Sequence, residues 1–313
     1  MTTTNPGASR PGSDLLWPVE TATPARRRSP RRSPVAALAA TPRRGLVGVL
    51  IALVLVVEIY PLFWLLTSSF KSEDDFETQP LWTMPQHFDW HNYVSAWQTA
   101  ALGQTALNSL IVTIVSMAVI LIVGSAAAFA LEVMIWRGRR SVLLFVIGGL
   151  MVPTQLILLP LYTIYYHAGI TNSLFPLIIT YVGQGLPLTV FLMATYFRSV
   201  PLELFEASAL DGAGIFRCFF SVGLPLVRNG IYTMAMLLFF SIWNDLLVAL
   251  TFNTQPSLAT VQVGLLNFDG QYGQVSYGPL LAAICIIIFA MLIVYALVNQ
   301  RVMKGLTAGS IKG

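Results

Sequence analysis

Two carboxylates, Glu58 and Asp245, stand inside long apolar stretches of a 313-residue chain. A charge at bilayer depth costs about 2.5–3.5 kcal/mol on insertion scales, so an acid there is either held by a partner or has a task. Two tasks are open: lining a polar cavity for a hydroxylated solute, or proton coupling. The structural alternatives are a helix–helix hydrogen bond and snorkelling to the outer interface. Asp245 follows Trp243 and Asn244, so the candidates to line a translocation path are Trp243, Asn244 and Asp245. Other chemistries lack their residues. Cys218 and Cys285 fall in different elements with no partner at metal spacing. His87, His91 and His167 are not clustered as ligands, and no Ser/His/Asp set or carboxylate pair stands at useful spacing. A phosphate-binding loop needs a lysine directly after a glycine, and Lys71, Lys304 and Lys312 all follow other residues. The chain therefore reads as neither an enzyme nor a metalloprotein, with no cofactor of its own.

The elements that must position these residues are membrane spans. Hydrophobic residues make up 56% of the chain and charged residues only 10%, against about 25% charged in an ordinary soluble domain. Mean hydropathy is +0.71. Six apolar segments are predicted near 45–66, 107–131, 141–164, 174–197, 229–252 and 278–299. Each is long enough to cross about 30 Å of hydrocarbon as a helix. The expected fold is an all-α integral membrane protein with six transmembrane helices. Pro153, Pro160, Pro176 and Pro187 fall in the third and fourth segments. Inside a bundle, neighbouring helices and local kinks can satisfy the backbone groups that proline frees.

Three regions follow from this reading: a basic tail 1–44, a membrane domain 45–299 and a C-terminal tail 300–313. The first is rich in proline and arginine, centred on Arg26-Arg27-Arg28-Ser29-Pro30-Arg31-Arg32, and is expected to be disordered. It suits an orientation signal or contact with anionic lipid. With the N-terminus inside, every basic residue except Lys71 is cytoplasmic, and both termini share that side. Charge laid out in this way fits a bilayer and excludes a nucleic-acid partner. Two long connections then lie outside, near 67–106 and 253–277. The first carries Trp82, Trp90, Tyr93 and Trp97, which suits either a binding surface or the membrane interface. The second carries Asn267, Asp269, Gln271 and Tyr272 and reads as a contact loop.

The cytoplasmic connection 198–228 holds the densest pattern. Pro201 suits the first turn of a helix, and Glu203 favours its positive end. Leu202, Phe205 and Ala209 recur at helical spacing on one face. Gly212 suits the left-handed turn that ends a helix. The result is a short amphipathic helix between two spans, able to lie on lipid or in a groove of a partner.

Glu206-Ala207-Ser208, then Gly212 after three residues, then Val222-Gly223-Leu224-Pro225 after nine more resembles the EAA signature of ATP-binding-cassette importer permeases. Ser208 replaces the second alanine, Val222 the isoleucine, and Asn229 a proline frequent after the Leu-Pro pair. The end, from Gly305-Leu306-Thr307-Ala308-Gly309 to Gly313, is similar to the tail of the maltose-type sugar permeases. So are Tyr60-Pro61-Leu62-Phe63-Trp64, Ser69-Phe70-Lys71, Asn108-Ser109 and Trp243-Asn244-Asp245.

The resemblance implies a type I ABC importer permease fold in the cytoplasmic membrane of a bacterium, with a coupling helix docked on a dimer of ATPase subunits that bind ATP and Mg. Glu206, Ala207, Ser208, Asp211, Gly212, Leu224 and Pro225 would form that coupling site. Gly305, Leu306, Thr307 and Gly309 would reach the same subunits. A second homologous permease and an extracytoplasmic solute-binding protein are implied, the latter meeting 267–273. The implied cargo is a carbohydrate, of di- or oligosaccharide size. The alternative is a proton-coupled secondary transporter using Asp245 and Glu58.

Overall fold

The computed structural model describes residues 34–253, 255–268 and 275–309, with side chains described between Leu46 and Ala296. Among these residues every regular element is helical. In chain order they are α1 (Pro34–Ser68), α2 (Glu73–Thr78), α3 (His91–Thr99), α4 (Leu102–Glu132), α5 (Arg139–Gly148), α6 (Thr154–His167), α7 (Phe175–Arg198) and α8 (Glu203–Leu210). Then follow α9 (Ile215–Cys218), a π-helical turn (Phe219–Gly223), α10 (Leu224–Leu226), α11 (Arg228–Trp243), α12 (Leu247–Phe252), α13 (Val261–Gly264) and α14 (Tyr277–Gly309). Contacts divide the chain after Ile59. The first unit contains the apolar part of α1 up to Ile59, and Glu58 there has no hydrogen-bond or charge partner among the described residues. α1 begins at Pro34, inside the stretch 1–44 expected to be a tail.

Four helices are long and apolar enough to span: Leu46–Ser68, Leu102–Glu132, Phe175–Arg198 and Tyr277–Ala296. Two further spans are bent pairs, so the count reaches six when each pair is taken as one. The third predicted segment is not a straight helix. Its two halves, Arg139–Met151 and Thr154–His167, meet at 95°. Val152 precedes Pro153 and takes an extended backbone, φ −84° and ψ 113°, as the proline ring forces on the residue before it. The fifth segment is also divided. The predicted stretch 229–252 breaks between α11 and α12, and just before it Ile215–Leu226 and Arg228–Trp243 meet at 76°.

The core of the second unit is the pairing of α4 with α7, and small residues let the two helices close. A Cβ on Gly124 would stand 2.6 Å from Thr189 Cγ2, and one on Gly185 would stand 2.7 Å from Ile120 Cδ1. Around this crossing pack Phe129, Met193, Phe197, Met234, Leu238 and Phe252. A second cluster joins α3 to α13 and α14 through Ala96, Ala100, Val261, Ala282 and Ala283. Asn108 and Ser109 tie the two regions together. Asn108 Nδ2 donates to Ser257 O and Ala259 O at 2.9 Å, and Ser109 Oγ accepts from Val261 N at 2.9 Å.

Lys71, the exception in the charge pattern, is completely buried. Its Nζ donates to Pro80 O (3.4 Å), Leu81 O (3.2 Å) and Thr83 Oγ1 (3.2 Å) and sits 5.7 Å from the Phe76 ring centroid. Trp64 Nε1 donates to the same Leu81 oxygen at 2.8 Å. Lys71 thus pins the connection 79–83 against the end of α1. Lys71→Met removes the donor and leaves buried acceptors unmet, a loss of about 1–3 kcal/mol. The expected outcome is a lower thermal midpoint for the solubilised protein and new protease cleavage confined to 79–90. An unchanged cleavage pattern would refute this role.

Candidate functional site

The connection after α7 is built on one aromatic ring. Phe129 of α4 is buried and meets Phe197 of α7, Phe205 of α8 and Phe219 of the π turn at centroid distances of 5.6, 5.7 and 5.4 Å. The first two contacts are edge-on, at 72° and 73°, the orientation that ring quadrupoles favour. A Cβ on Gly223 would lie 3.4 Å from both Phe129 and Phe197. At the rim, the Arg198 guanidinium pairs with the Glu132 carboxylate, joining the ends of α7 and α4. That pair is largely solvent-exposed on the arginine side, so packing on Phe129 holds the segment more than the charge does.

Of the predicted apolar face of α8, Phe205 is buried while Leu202 and Ala209 are exposed. The helix is therefore held to the bundle by one ring and presents the rest of its surface outward. Gly212 has φ +79°, the left-handed conformation predicted for it. Gly212 N donates to Ala209 O (3.0 Å) and Ala213 N to Ser208 O (3.1 Å), which closes the helix end by the two-bond pattern typical of a glycine stop. Glu206, Ala207, Asp211 and Gly212 are exposed together, and Ser208 is half-buried. Leu210 and Phe216, at 89% and 80% exposure, flank them. Leu224 is half-buried and Pro225 is exposed. Leu224 packs on the core, and Pro225 belongs to α10, at the bend into α11. The π turn lies directly before that bend, a placement frequent where a helix carries function.

Trp243, Asn244 and Asp245 turn to three different neighbours. The Trp243 ring stacks on Phe239 at 5.7 Å and 23°. Asn244 Nδ2 donates to Phe240 O at 3.0 Å, and Asn244 lines a cavity of 450 Å³ with Gln262, Leu265 and Tyr295. Asp245 Oδ1 accepts from Tyr181 Oη (2.9 Å), Val248 N (2.9 Å) and Ala249 N (3.4 Å). The carboxylate therefore caps the first turn of α12 and ties it to α7, where a negative group is favourable. Among the described residues no His/Cys/Asp/Glu group is arranged to hold a metal.

One polar position on α7 was not singled out in the sequence. Gln184 lines a 420 Å³ cavity with Thr154, Tyr165, Thr180 and Gly183 and also a smaller one with Tyr181 and Ser241. Its Nε2 is buried without a partner. A lone amide within the apolar stretch 174–197 was the available signal.

Asn267 is exposed, and its Nδ2 donates to Thr99 O at 3.3 Å. Asp269, Gln271 and Tyr272 lie outside the described residues. The backbone of Gly305, Leu306, Thr307 and Gly309 continues α14 through the stretch expected to be a tail, and their side chains lie outside the described residues.

Residues 120–304 match the model of the family described as binding-protein-dependent transport system inner membrane component. The chain belongs to this family. Its permease subunits are not enzymes themselves, and the chain is a multi-pass protein of the bacterial inner membrane. It is 33% identical to the diacetylchitobiose uptake system permease protein NgcG of Streptomyces coelicolor, over 82% of this chain and 85% of that one. It is 29% identical to the melibiose/raffinose/stachyose import permease protein MelC of Bacillus subtilis, over 88% and 99% of the two chains. In fold it is similar to a chain in the crystal structure of a bacterial ABC transporter that imports the acidic polysaccharide alginate. There the TM-score is 0.71 at 20% identity, covering 83% of this chain and 97% of that one. The permease has the type I importer fold.

Phe205→Ala in this permease removes a buried ring, a change that costs about 3–5 kcal/mol in a packed core. A cysteine pair placed on α4 and α8 for disulfide trapping should cross-link in the parent and lose most of that yield in the alanine variant, with Phe205→Leu intermediate. Equal yields in all three would remove Phe129–Phe205 packing as the anchor of α8.

Proposed function

We propose that this permease moves a carbohydrate of di- or oligosaccharide size across the cytoplasmic membrane by alternating access, driven by ATP. The observation that carries the reading is the surface of α8. Glu206 and Leu210 on α8, Asp211 at its end and Phe216 on α9 are all exposed, and α8 is fixed from behind by Phe205. Apolar side chains exposed beside acids suit a groove in another protein, here a dimer of ATPase subunits that binds ATP and Mg. Glu206 would meet a basic residue there, and Gly305, Leu306, Thr307 and Gly309 would reach the same dimer. Both termini would then be cytoplasmic, in keeping with the arginine distribution. A second permease of the same family completes the membrane path, and a solute-binding protein delivers the cargo against the loop that contains Asn267 and Asp269. The carbohydrate assignment is supported by relatives described as carriers of diacetylchitobiose and of melibiose, raffinose and stachyose. A path for such neutral, hydroxyl-rich cargo needs amide and hydroxyl groups rather than charges, and Gln184, Thr154 and Thr180 supply them.

Proton coupling through Asp245 and Glu58 is the weaker reading. Asp245 Oδ1 already accepts three hydrogen bonds that close a helix end and tie it to α7, and among the described residues Glu58 has no partner through which a proton could pass.

The test is co-purification from native membranes. The parent should retain a nucleotide-binding subunit. Glu206→Lys combined with Gly212→Pro should lose it while keeping the second permease, because lysine reverses the docking charge and proline cannot adopt a φ of +79°. A parent that retains no nucleotide-binding subunit under mild extraction would end the importer reading. Uptake of an α-galactoside or chitobiose-type sugar should also survive a protonophore while cellular ATP is maintained.

A further inference from the structure

The connection between α1 and α4 presents a row of large rings that none of the described residues covers. Trp82, Trp90 and Trp97 are 76%, 68% and 55% exposed, and Leu81, Met84, Phe88 and Val94 are exposed beside them. On α3 the pattern is ordered. Trp90, Val94 and Trp97 recur at i, i+4 and i+7 and form one stripe. The opposite face, Asn92, Ala96 and the following Ala100, is buried, and Ala96 and Ala100 pack into the cluster that joins α3 to α14. This helix has therefore turned an apolar stripe away from its own protein.

Two contacts fix the depth of the rings. Trp64 lies one turn before the end of the span Leu46–Ser68, and its indole N–H donates to Leu81 O at 2.8 Å. Leu81 and Trp82 are thereby held at the level of the last turn of that span. At the other end, Trp97 Cζ2 lies 3.5 Å from the Cβ position of Gly103, in the first turn of the span Leu102–Glu132. The exposed stripe then runs on into Leu107, Leu110, Ile111 and Ile114 of the same helix. Both ends of the row thus lie beside the ends of two apolar helices, the level at which interfacial aromatic rings collect.

The segment is not free to leave that level. Lys71 pins 80–83. Asp89 N donates to Phe70 O at 3.0 Å, and the Phe70 ring packs on Phe88, Trp90 and Tyr93.

The chemistry of the row matches the same place. None of the three indole N–H groups has a protein acceptor among the described residues. A ring with an apolar body and a free donor is best placed where acyl chains meet headgroup esters and phosphates. The only lysine or arginine between 67 and 106 is Lys71, and it is buried. Attraction to anionic headgroups therefore contributes nothing here, and the contact is with the ester and phosphate layer of any phospholipid.

We propose that residues 81–97 form a lipid-bound collar in the outer leaflet, with Trp82, Trp90 and Trp97 as its interfacial contacts and phospholipid as the occupant of this surface. The collar follows from the spans and the side-chain contacts and holds whatever the permease carries; its assignment to the outer leaflet rests on the orientation proposed above.

The experiment uses the complete transporter in native membranes, with photoreactive benzoylphenylalanine replacing Trp82, Trp90 or Trp97 one at a time. Irradiation should add the mass of one phospholipid to the permease at positions 82 and 97. The yield should not change when the solute-binding protein is present in excess. Covalent attachment to the solute-binding protein or to the second permease would overturn the proposal, because a protein then occupies the surface. Absence of any adduct at all three positions, with efficient labelling at the mid-span control Ile122, would also overturn it, since the rings would then face water. Loss of the nucleotide-binding subunit in the co-purification above would leave the lipid adducts unaffected, so the two readings fail separately.

Discussion

Hydrocarbon offers no hydrogen bonds, so each backbone N–H and C=O that a helix break exposes must be met from within the protein. That constraint organises the permease. Its helices break at Val152–Pro153, at Val227 and between Trp243 and Leu247. The last break contains no proline, and polar side chains close it. Asp245 takes the first N–H groups of α12, and Asn244 reaches back to the Phe240 carbonyl. Asn108 and Ser109 do the same for the irregular stretch 257–261, meeting two carbonyls and one N–H. Residues that stand out in an apolar sequence are thus largely assigned to mending the backbone. Gln184 is different in kind, because its amide is buried without a partner beside two cavities. An unmet donor at such a place costs stability unless something else completes it, which sets it apart from the acids.

Beside these mended breaks, the helices of the core pack closely. The α4–α7 crossing is closed by Gly124 and Gly185 without room for a further methyl group. At the C-terminal ends of the same two helices, Phe129 gathers Phe197, Phe205 and Phe219. One ring thus joins both core helices to the connection that faces the proposed partner. The neighbouring bends of 95° and 76° are places where the chain changes direction without breaking this contact set.

Much of this was legible in the sequence, and the limits have physical causes. Hydropathy located the apolar segments because burial in lipid demands it of every spanning residue. Gly212 announced its left-handed φ because few other residues tolerate one. The division of the third segment was also available, since Val152 precedes a proline. The break after Trp243 was not, because a helix end without proline or glycine depends on whether tertiary partners such as Tyr181 are at hand. Spacing put Leu202, Phe205 and Ala209 on one face of α8. It could not say which of them is buried, because that depends on Phe129, far away in sequence. Lys71 broke the charge rule for a reason that composition cannot show: it is enclosed by loop oxygens rather than displayed to solvent.

A ligand shifts a conformational equilibrium only through contacts that differ between its two states. In the mechanism proposed here, a partner that grips α8 can act on the membrane path only if α8 cannot slide independently of the helices that line it. Backbone continuity alone does not ensure this, since the helix is interrupted between Arg198 and Glu203, where only the short turn bonds of Ser199 N and Val200 N continue it. The buried Phe205 ring supplies what the backbone lacks, by placing α8 in the same packed cluster as α4 and α7. Packed interiors yield little to compression, so a displacement imposed on α8 passes to Phe129 rather than dissipating in the loop. The outward surface can then vary with the partner it meets, while the one residue facing inward must keep both its volume and its place.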